Sequence, residues 1–166
     1  MTSGARAGCN DRVVQPVRDE AKDRRVAAGI SLLSAAAALL GVTQTWLRIS
    51  VAGWHGPGSS QTGWHGRDGW TVAVAAVVAA VAAVGIMIGR REPWLRIALF
   101  VAGGAMVVVA LVNLASIRSK ADDIHVLFGI SPGDVRAEVG VGLILVAFAS
   151  VGVLGGALLA HRLARG

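Results

Sequence analysis

WLRISVAGWHGPGSSQTGWHGRDGW, residues 46–70, is the stretch on which the fold of this 166-residue chain depends. It is the least apolar part of an otherwise apolar sequence, and it carries four of the five Trp residues and two copies of Gly-Trp-His-Gly. Apolar and polar residues alternate over residues 47–51, which is typical of a short strand. A Gly-Pro-Gly turn signal follows at 56–58, and a second short arm covers residues 61–65. The stretch therefore predicts a β-hairpin.

Long uncharged runs lie on both sides of this hairpin. Charged residues make up 16% of the chain and hydrophobic residues 54%, whereas soluble domains carry about 25% charged residues. A helix of about 20 residues covers roughly 30 Å, the thickness of a hydrocarbon core. The sequence predicts an all-α membrane fold, a four-helix transmembrane bundle with a small extracytoplasmic β-hairpin cap. The predicted spans are about 26–46, 70–88, 95–117 and 139–160.

The remaining segments follow from these spans. Residues 1–25 are polar and are predicted to be a disordered cytoplasmic tail, ahead of a membrane domain at 26–161. The outer loops are 47–69 and 118–138, and residues 162–166 form a short cytoplasmic tail. Trp46 is expected to close the first helix as an interfacial aromatic anchor.

Two further features concern the third and fourth helices. Apolar residues recur at spacings of three and four from Leu111 to Phe128, which predicts that the third helix continues about three turns beyond the bilayer. Pro93 is suited to open that helix, because a first-turn proline loses no helical hydrogen bond. Ser131-Pro132-Gly133-Asp134 has the pattern of a helix start and predicts that the fourth helix runs from there to about His161.

The distribution of charge predicts the orientation. Of the 16 Lys and Arg residues, 11 fall on the side of the N-terminal tail and 5 on the side of the long loops. The positive-inside rule then places both termini in the cytoplasm and the hairpin outside a plasma membrane. The net charge of +6 is accounted for by this asymmetry, so no nucleic-acid partner is inferred.

The repeated Gly-Trp-His-Gly motif allows two interpretations. A folded hairpin would bring His55 near His65, and His125 and Asp122 lie on the same side of the membrane. Imidazoles with a carboxylate are suitable ligands for zinc or copper. Alternatively, the motif is an interfacial Trp belt in which His is a polar neighbour and Gly permits the turns. No resident metal or other cofactor is predicted from the sequence.

The spans themselves carry little chemistry. Their cores contain no Asp, Glu, Lys, Arg or His, and ion and proton carriers usually need such a group. Asn113 is the strongly polar residue within a span, and it is expected to form a hydrogen bond with another helix rather than to line a transport path. No nucleotide-binding loop or nucleophile motif is present, so no catalytic residues and no enzymatic activity are predicted.

The outline of four helices, a Trp-bearing strand-forming first loop and a long third helix is similar to that of claudin-like membrane proteins in topology. The claudin loop motif has a Cys pair that this loop lacks. The chain also resembles small actinobacterial integral membrane proteins of the tryptophan-operon-associated type. The matching points are Trp46 before a strand-like run, Gly66-Arg67-Asp68-Gly69 before the second helix, and Pro132-Gly133 before a Gly-rich fourth helix. That resemblance implies a bacterial plasma membrane location and supplies no catalytic residues.

The expected function is that of an accessory or scaffolding subunit in the lipid bilayer, with a protein partner or as a homo-oligomer. Two surfaces are predicted to form the partner interface. One is the cap, through Trp54 and Trp64. The other is the stripe of small residues on the fourth helix that includes Gly152 and Gly156. An extracytoplasmic metal- or ligand-binding module and a small oligomeric transporter are the alternatives.

Overall fold

The computed structural model describes residues 11–51, 59–90, 92–128 and 135–163. The described helices are α1 (Asp11–Thr43), α2 (Arg67–Met87), α3 (Pro93–Phe128) and α4 (Val141–Arg162). The described strands are β1 (Thr45–Val51), β2 (Ser59–Thr62) and β3 (Val135–Val139), and a 3-10 helix, Gly63–His65, lies between β2 and α2.

The four helices form a bundle in ring order. α1 contacts α2 and α4, and α3 contacts the same two helices. Gly41 near the end of α1 faces Val146 near the start of α4, whereas Gly156 near the end of α4 faces Ser31 in α1, so these two helices are antiparallel. One end of the bundle carries the strands and is called the sheet end. The other carries the turn between α2 and α3 and is called the turn end.

The helices have the composition and the packing of membrane spans. Four segments are long and apolar enough to cross a membrane: Ala21–Thr43, Arg67–Met87, Pro93–Ile117 and Val141–Arg162. Their buried residues are mostly Ala, while large apolar side chains such as Leu33 (74% exposed) and Phe148 (75% exposed) point outward. Soluble proteins bury their large apolar side chains, whereas helices in a bilayer pack through small residues. The arrangement indicates a multi-pass membrane protein.

The described strands form one antiparallel sheet in the order β2-β1-β3. β1 pairs with β2 from Thr45 opposite Thr62, but the register shifts between Thr45 and Leu47. The shift leaves Trp46 as an extra residue in β1, and such bulges redirect side chains. This is why the consecutive residues Trp46 and Leu47 are both buried, at 6% and 7% exposure, although strand side chains normally alternate between the two faces.

The prediction of a hairpin cap was therefore correct for β1 and β2 and incomplete for the third strand. Residues 135–139, predicted to be the start of the fourth helix, form β3 and pair with β1 from Leu47 opposite Val139 to Val51 opposite Val135. The sequence Val135-Arg-Ala-Glu-Val139 alternates apolar and charged residues, which suits a half-exposed strand. α4 begins only at Val141, after Gly140.

The first helix also differs from the prediction. Residues 11–25 were expected to be disordered, but α1 begins at Asp11 and ends at Thr43. Glu20 and Arg24 have the acid-before-base spacing that favours a helix. The span that follows is already helical, and extending a helix costs less than nucleating a new one. Residues 44–46 were assigned to the first span, yet Trp46 lies in β1. The long third helix, Pro93–Phe128, is confirmed.

Candidate functional site

The best-defined polar site lies at the sheet end, around the indole of Trp46. Its Nε1 donates a hydrogen bond to the carbonyl oxygen of Gly41 in the last turn of α1, at 2.9 Å. That carbonyl belongs to one of the last residues of a helix, whose acceptors have no partner within the helix. The Trp46 carbonyl in turn accepts from the Gly140 amide at 2.8 Å. Trp46 therefore ties α1, β1 and the residue that precedes α4 together.

Two glycines make room for this indole. A Cβ atom on Gly63 would lie 2.7 Å from Cε2 and 2.8 Å from Nε1 of Trp46. A Cβ on Gly142, in the first turn of α4, would lie 2.8 Å from Cδ1. Separations below 3.0 Å are steric clashes, so neither position accepts a side chain without movement of its neighbours. The indole is held between backbone segments from three elements, which pack closely against these edges of the ring.

A small cavity of about 80 Å³ lies beside Trp46. Its polar wall contains Asn113 of α3 and Asp68 in the first turn of α2, and Nδ2 of Asn113 donates to Oδ2 of Asp68 at 2.9 Å. The same amide also donates to the carbonyl oxygen of Val109 at 3.0 Å, so both of its protons are used. A carboxylate in the first helical turn is favoured by the helix dipole. The pair links α2 to α3.

The polar groups of this site form hydrogen bonds that hold the helices together. The lining residues include one carboxylate and two carboxamides but no His, Cys or Ser: they are Trp46, Leu47, Gln61, Thr62, Gly63, Gly66, Asp68, Gly69 and Asn113. At about 30 Å³ per water molecule, the cavity volume of about 80 Å³ corresponds to two or three waters. The expectation that Asn113 bonds across helices is confirmed. The residue is, however, near the end of its span (Pro93–Ile117) rather than deep within it. The sequence pattern did not reveal its partner, Asp68.

The proposed metal ligands lie outside the described part of the structure. His55 is not among the described residues, and the side chains of His65, Asp122 and His125 are not described either, although their backbones belong to the 3-10 helix and to α3. Within the described residues no group of three His, Cys, Asp or Glu side chains is placed to hold a metal. The metal-binding hypothesis remains a prediction.

An exposed aromatic pair lies at the rim of the sheet end. Trp64 and Trp70 stack edge to face, with ring centroids 4.9 Å apart, and are 41% and 60% exposed. Trp70 also lines an apolar groove of about 510 Å³ on the outer face between α2 and α3. The rest of the groove is formed by small and β-branched residues of the two helices: Thr71, Val74, Ala75, Val78, Ala98, Val101, Ala102 and Ala105. Trp54, the other cap residue assigned to a partner interface, is outside the described residues.

The small-residue stripe on α4 is used within the bundle. A Cβ on Gly152 would clash with Oγ of Ser34, and a Cβ on Gly156 would clash with Oγ of Ser31. Ser31 is fully buried and its hydroxyl donates to the Ala27 carbonyl within α1 at 3.2 Å. In this structure both glycines face α1 of the same chain, and their predicted role in a partner interface stays a prediction. They let α1 of the same chain approach α4 closely, as small residues do in membrane helix pairs.

The chain matches no known family model, no curated protein and no solved structure.

Proposed function

We propose that this protein is an accessory or scaffolding subunit of the plasma membrane that binds one apolar transmembrane helix of a partner protein in the α2–α3 groove. Both termini are cytoplasmic in this proposal, as the excess of Lys and Arg at that end suggests. The observation that carries it is the exposed Trp64–Trp70 pair at the rim of an apolar groove. Trp is enriched where proteins bind one another, and its loss there usually weakens binding strongly.

The shape of the groove supports a helix as its occupant. Ala98, Ala102 and Ala105 lie on the α3 side, and alanines at such spacings allow two helix backbones to approach closely. Trp70 lines the groove and Trp64 stacks on it at the sheet end, which is consistent with the aromatic residues that proteins place at the membrane surface. The two Trp residues are therefore placed to contact the partner where its helix leaves the bilayer.

The spans support a binding role over a catalytic or transport role. Their cores contain no ionisable residue, and their polar residue Asn113 is engaged with Asp68 and Val109. A transport path normally requires polar groups along the interior of the spans, whereas the cavity beside Asn113 and Asp68 lies at the sheet end. The largest of the apolar surfaces described above, in contrast, faces outward between α2 and α3.

Site-specific photo-cross-linking in native membranes tests this proposal. A photoreactive amino acid is placed at Val101 in the groove and, as a matched control, at Val151 on α4, which are 66% and 64% exposed. We expect one protein adduct of fixed mass from position 101 and none from position 151. Adducts with lipid alone, or with a second copy of this chain, from position 101 would overturn the partner-subunit proposal.

A second experiment tests the aromatic pair. Replacing Trp70 by Ala is expected to weaken co-purification of the cross-linked partner at least tenfold, in line with a loss of about 2 kcal/mol at an interface hot spot. Trp94→Ala is the control, since Trp94 is 54% exposed and lies at the turn end. Equal recovery of the partner with the two variants would show that the Trp pair does not contribute to binding.

A further inference from the structure

The turn end of the bundle contains a cavity of about 220 Å³ whose polar wall is made of arginines. Arg24 and Arg25 come from α1, Arg90 from the turn after α2, and Arg96 from the first turns of α3. None of the described residues that line the cavity is Asp or Glu: the others are Ala21, Ile86, Met87, Ile88, Gly89 and Ala160. Three separate segments thus direct positive charge to one opening.

The backbone of the α2–α3 turn sets the position of Arg90. Gly89 has a positive φ of 89°, its amide donates to the Ile86 carbonyl at 3.0 Å, and the Arg90 amide donates to the Gly85 carbonyl at 3.1 Å. These two bonds and the left-handed glycine form a Schellman motif, which ends a helix sharply. The turn is therefore a defined structure, and Arg90 follows it at a fixed place beside the cavity.

The cavity lies at the ends of three apolar spans, which in a bilayer corresponds to the level of the lipid headgroups. The spans Ala21–Thr43, Arg67–Met87 and Pro93–Ile117 begin or end beside it. Arg96 is half-buried, and Arg25 and Arg90 are exposed. Long arginine side chains near helix ends extend toward the interface while their stems stay on apolar surface. At about 30 Å³ per water molecule the volume corresponds to about seven waters, which is space for a phosphate group.

We propose that this cavity binds the phosphate of an anionic phospholipid headgroup. The guanidinium group matches a phosphate oxygen pair with two parallel hydrogen bonds, and basic pockets between membrane helices bind acidic headgroups. The apolar wall favours a lipid over a free phosphate ion, because Met87 and Ile88 are exposed (40% and 74%) next to the arginines and can accept the start of an acyl chain. Arg24 has another interaction within the chain, so the proposal rests on Arg25, Arg90 and Arg96.

The test compares two variants that lose the same charge. The cavity variant carries Arg25→Gln, Arg90→Gln and Arg96→Gln, and the control carries Arg48→Gln, Arg67→Gln and Arg162→Gln, which are exposed residues outside the cavity. Each full-length protein is placed in phosphatidylcholine nanodiscs that contain a small fraction of phosphatidylglycerol. Native mass spectrometry then measures the phosphatidylglycerol retained per protein, and circular dichroism verifies that both variants are folded.

We expect the wild-type protein and the control to retain phosphatidylglycerol and the cavity variant to lose it. An attraction of about 1 kcal/mol per arginine corresponds to a roughly fivefold loss of affinity for each residue removed and about a hundredfold for three. Arg90→Gln alone, in an exposed turn, is the milder variant and should still lose affinity about fivefold. Equal retention by the cavity variant and the control would overturn the proposal.

Inorganic phosphate distinguishes the lipid from a soluble anion. The wild-type protein in a neutral detergent is titrated with phosphate in the presence of bound phosphatidylglycerol. We expect millimolar phosphate to leave the lipid in place, since the acyl chains add contacts that the ion lacks. Displacement of the lipid at such concentrations would show that the cavity recognises the free ion, and it would overturn the assignment to a phospholipid.

Discussion

The two ends of the bundle are built on different principles, although the same four helices form both. At the sheet end the chain packs tightly around Trp46, because Gly63 and Gly142 lie against the indole and the cavity beside it is only about 80 Å³. At the turn end the helices leave a cavity of about 220 Å³ lined by arginines. The packing of the sheet end depends on the size of its residues. The ligand binding proposed for the turn end depends on the charge of its residues.

This difference predicts where substitutions will affect folding and where they will not. A residue packed against backbone on several sides has no alternative position, so its replacement leaves a cavity or a clash. A charged side chain at an open cavity is solvated, and its replacement changes stability little. Substitutions of residues packed around Trp46 should therefore lower the free energy of unfolding, whereas those of the arginines at the turn-end cavity should change it little.

The largest effect is expected for Trp46→Ala. Removing a buried Trp side chain costs about 3–5 kcal/mol in free energy of unfolding, and Trp46 is only 6% exposed. Unfolding in mixed micelles of increasing denaturing-detergent content, followed by circular dichroism, measures the loss. Trp94→Ala at the turn end, where Trp94 is 54% exposed, should stay within about 0.5 kcal/mol of the wild-type protein. Equal losses for the two variants would contradict the difference between the ends.

The next effect in size is expected for Gly63→Ala. The new Cβ would lie 2.7 Å from Cε2 of Trp46 and 2.8 Å from the Val42 carbonyl oxygen, and overpacking of this kind costs about 1–3 kcal/mol. Gly66→Ala is the matched control three residues away, because the nearest atom to its Cβ is the Asp68 amide nitrogen at 3.9 Å. It should change the free energy of unfolding by less than about 0.5 kcal/mol.

The combination of Gly63→Ala with Trp46→Phe sharpens this prediction. The smaller ring gives the new methyl group space, so the double variant should be more stable than the sum of the two single losses predicts. Coupling between residues in contact is about 0.5–3 kcal/mol. Strict additivity of the two losses would indicate that Gly63 is required for a reason other than the indole.

Much of this architecture could be predicted from the sequence because it depends on composition and period. The four spans follow from uncharged runs of about 20 residues. The extension of α3 to Phe128 follows from apolar residues at spacings of three and four, and the pairing of β1 with β2 follows from alternation and a Gly-Pro-Gly turn.

The features that the sequence did not reveal depend on contacts between distant segments. β3 was predicted as part of a helix because Ser131-Pro132 resembles a helix start, and the strand is stabilised by pairing with β1 rather than by local preference. Trp46 was expected at the membrane surface, but a bulge in β1 directs it into the bundle. Gly152 and Gly156 form a stripe that any helix could use, and only the structure identifies α1 as the helix that uses it.

The smallest effect at the sheet end is expected for Asn113→Leu. The variant removes the bond from Nδ2 of Asn113 to Asp68, and interhelical hydrogen bonds in membrane proteins contribute about 0.6 kcal/mol on average and about 1.7 kcal/mol at most. Asp68 is exposed, so water can replace the lost donor, which keeps the cost low.

Ser150→Ala is the control, because the Ser150 hydroxyl bonds only within its own helix, to the Ala147 carbonyl. A double-mutant cycle of Asn113→Leu with Asp68→Ala isolates the pair, and a coupling energy of zero would mean that this hydrogen bond does not hold α2 to α3. In that case the packing around Trp46 and its glycines, and not this hydrogen bond, would distinguish the sheet end from the turn end.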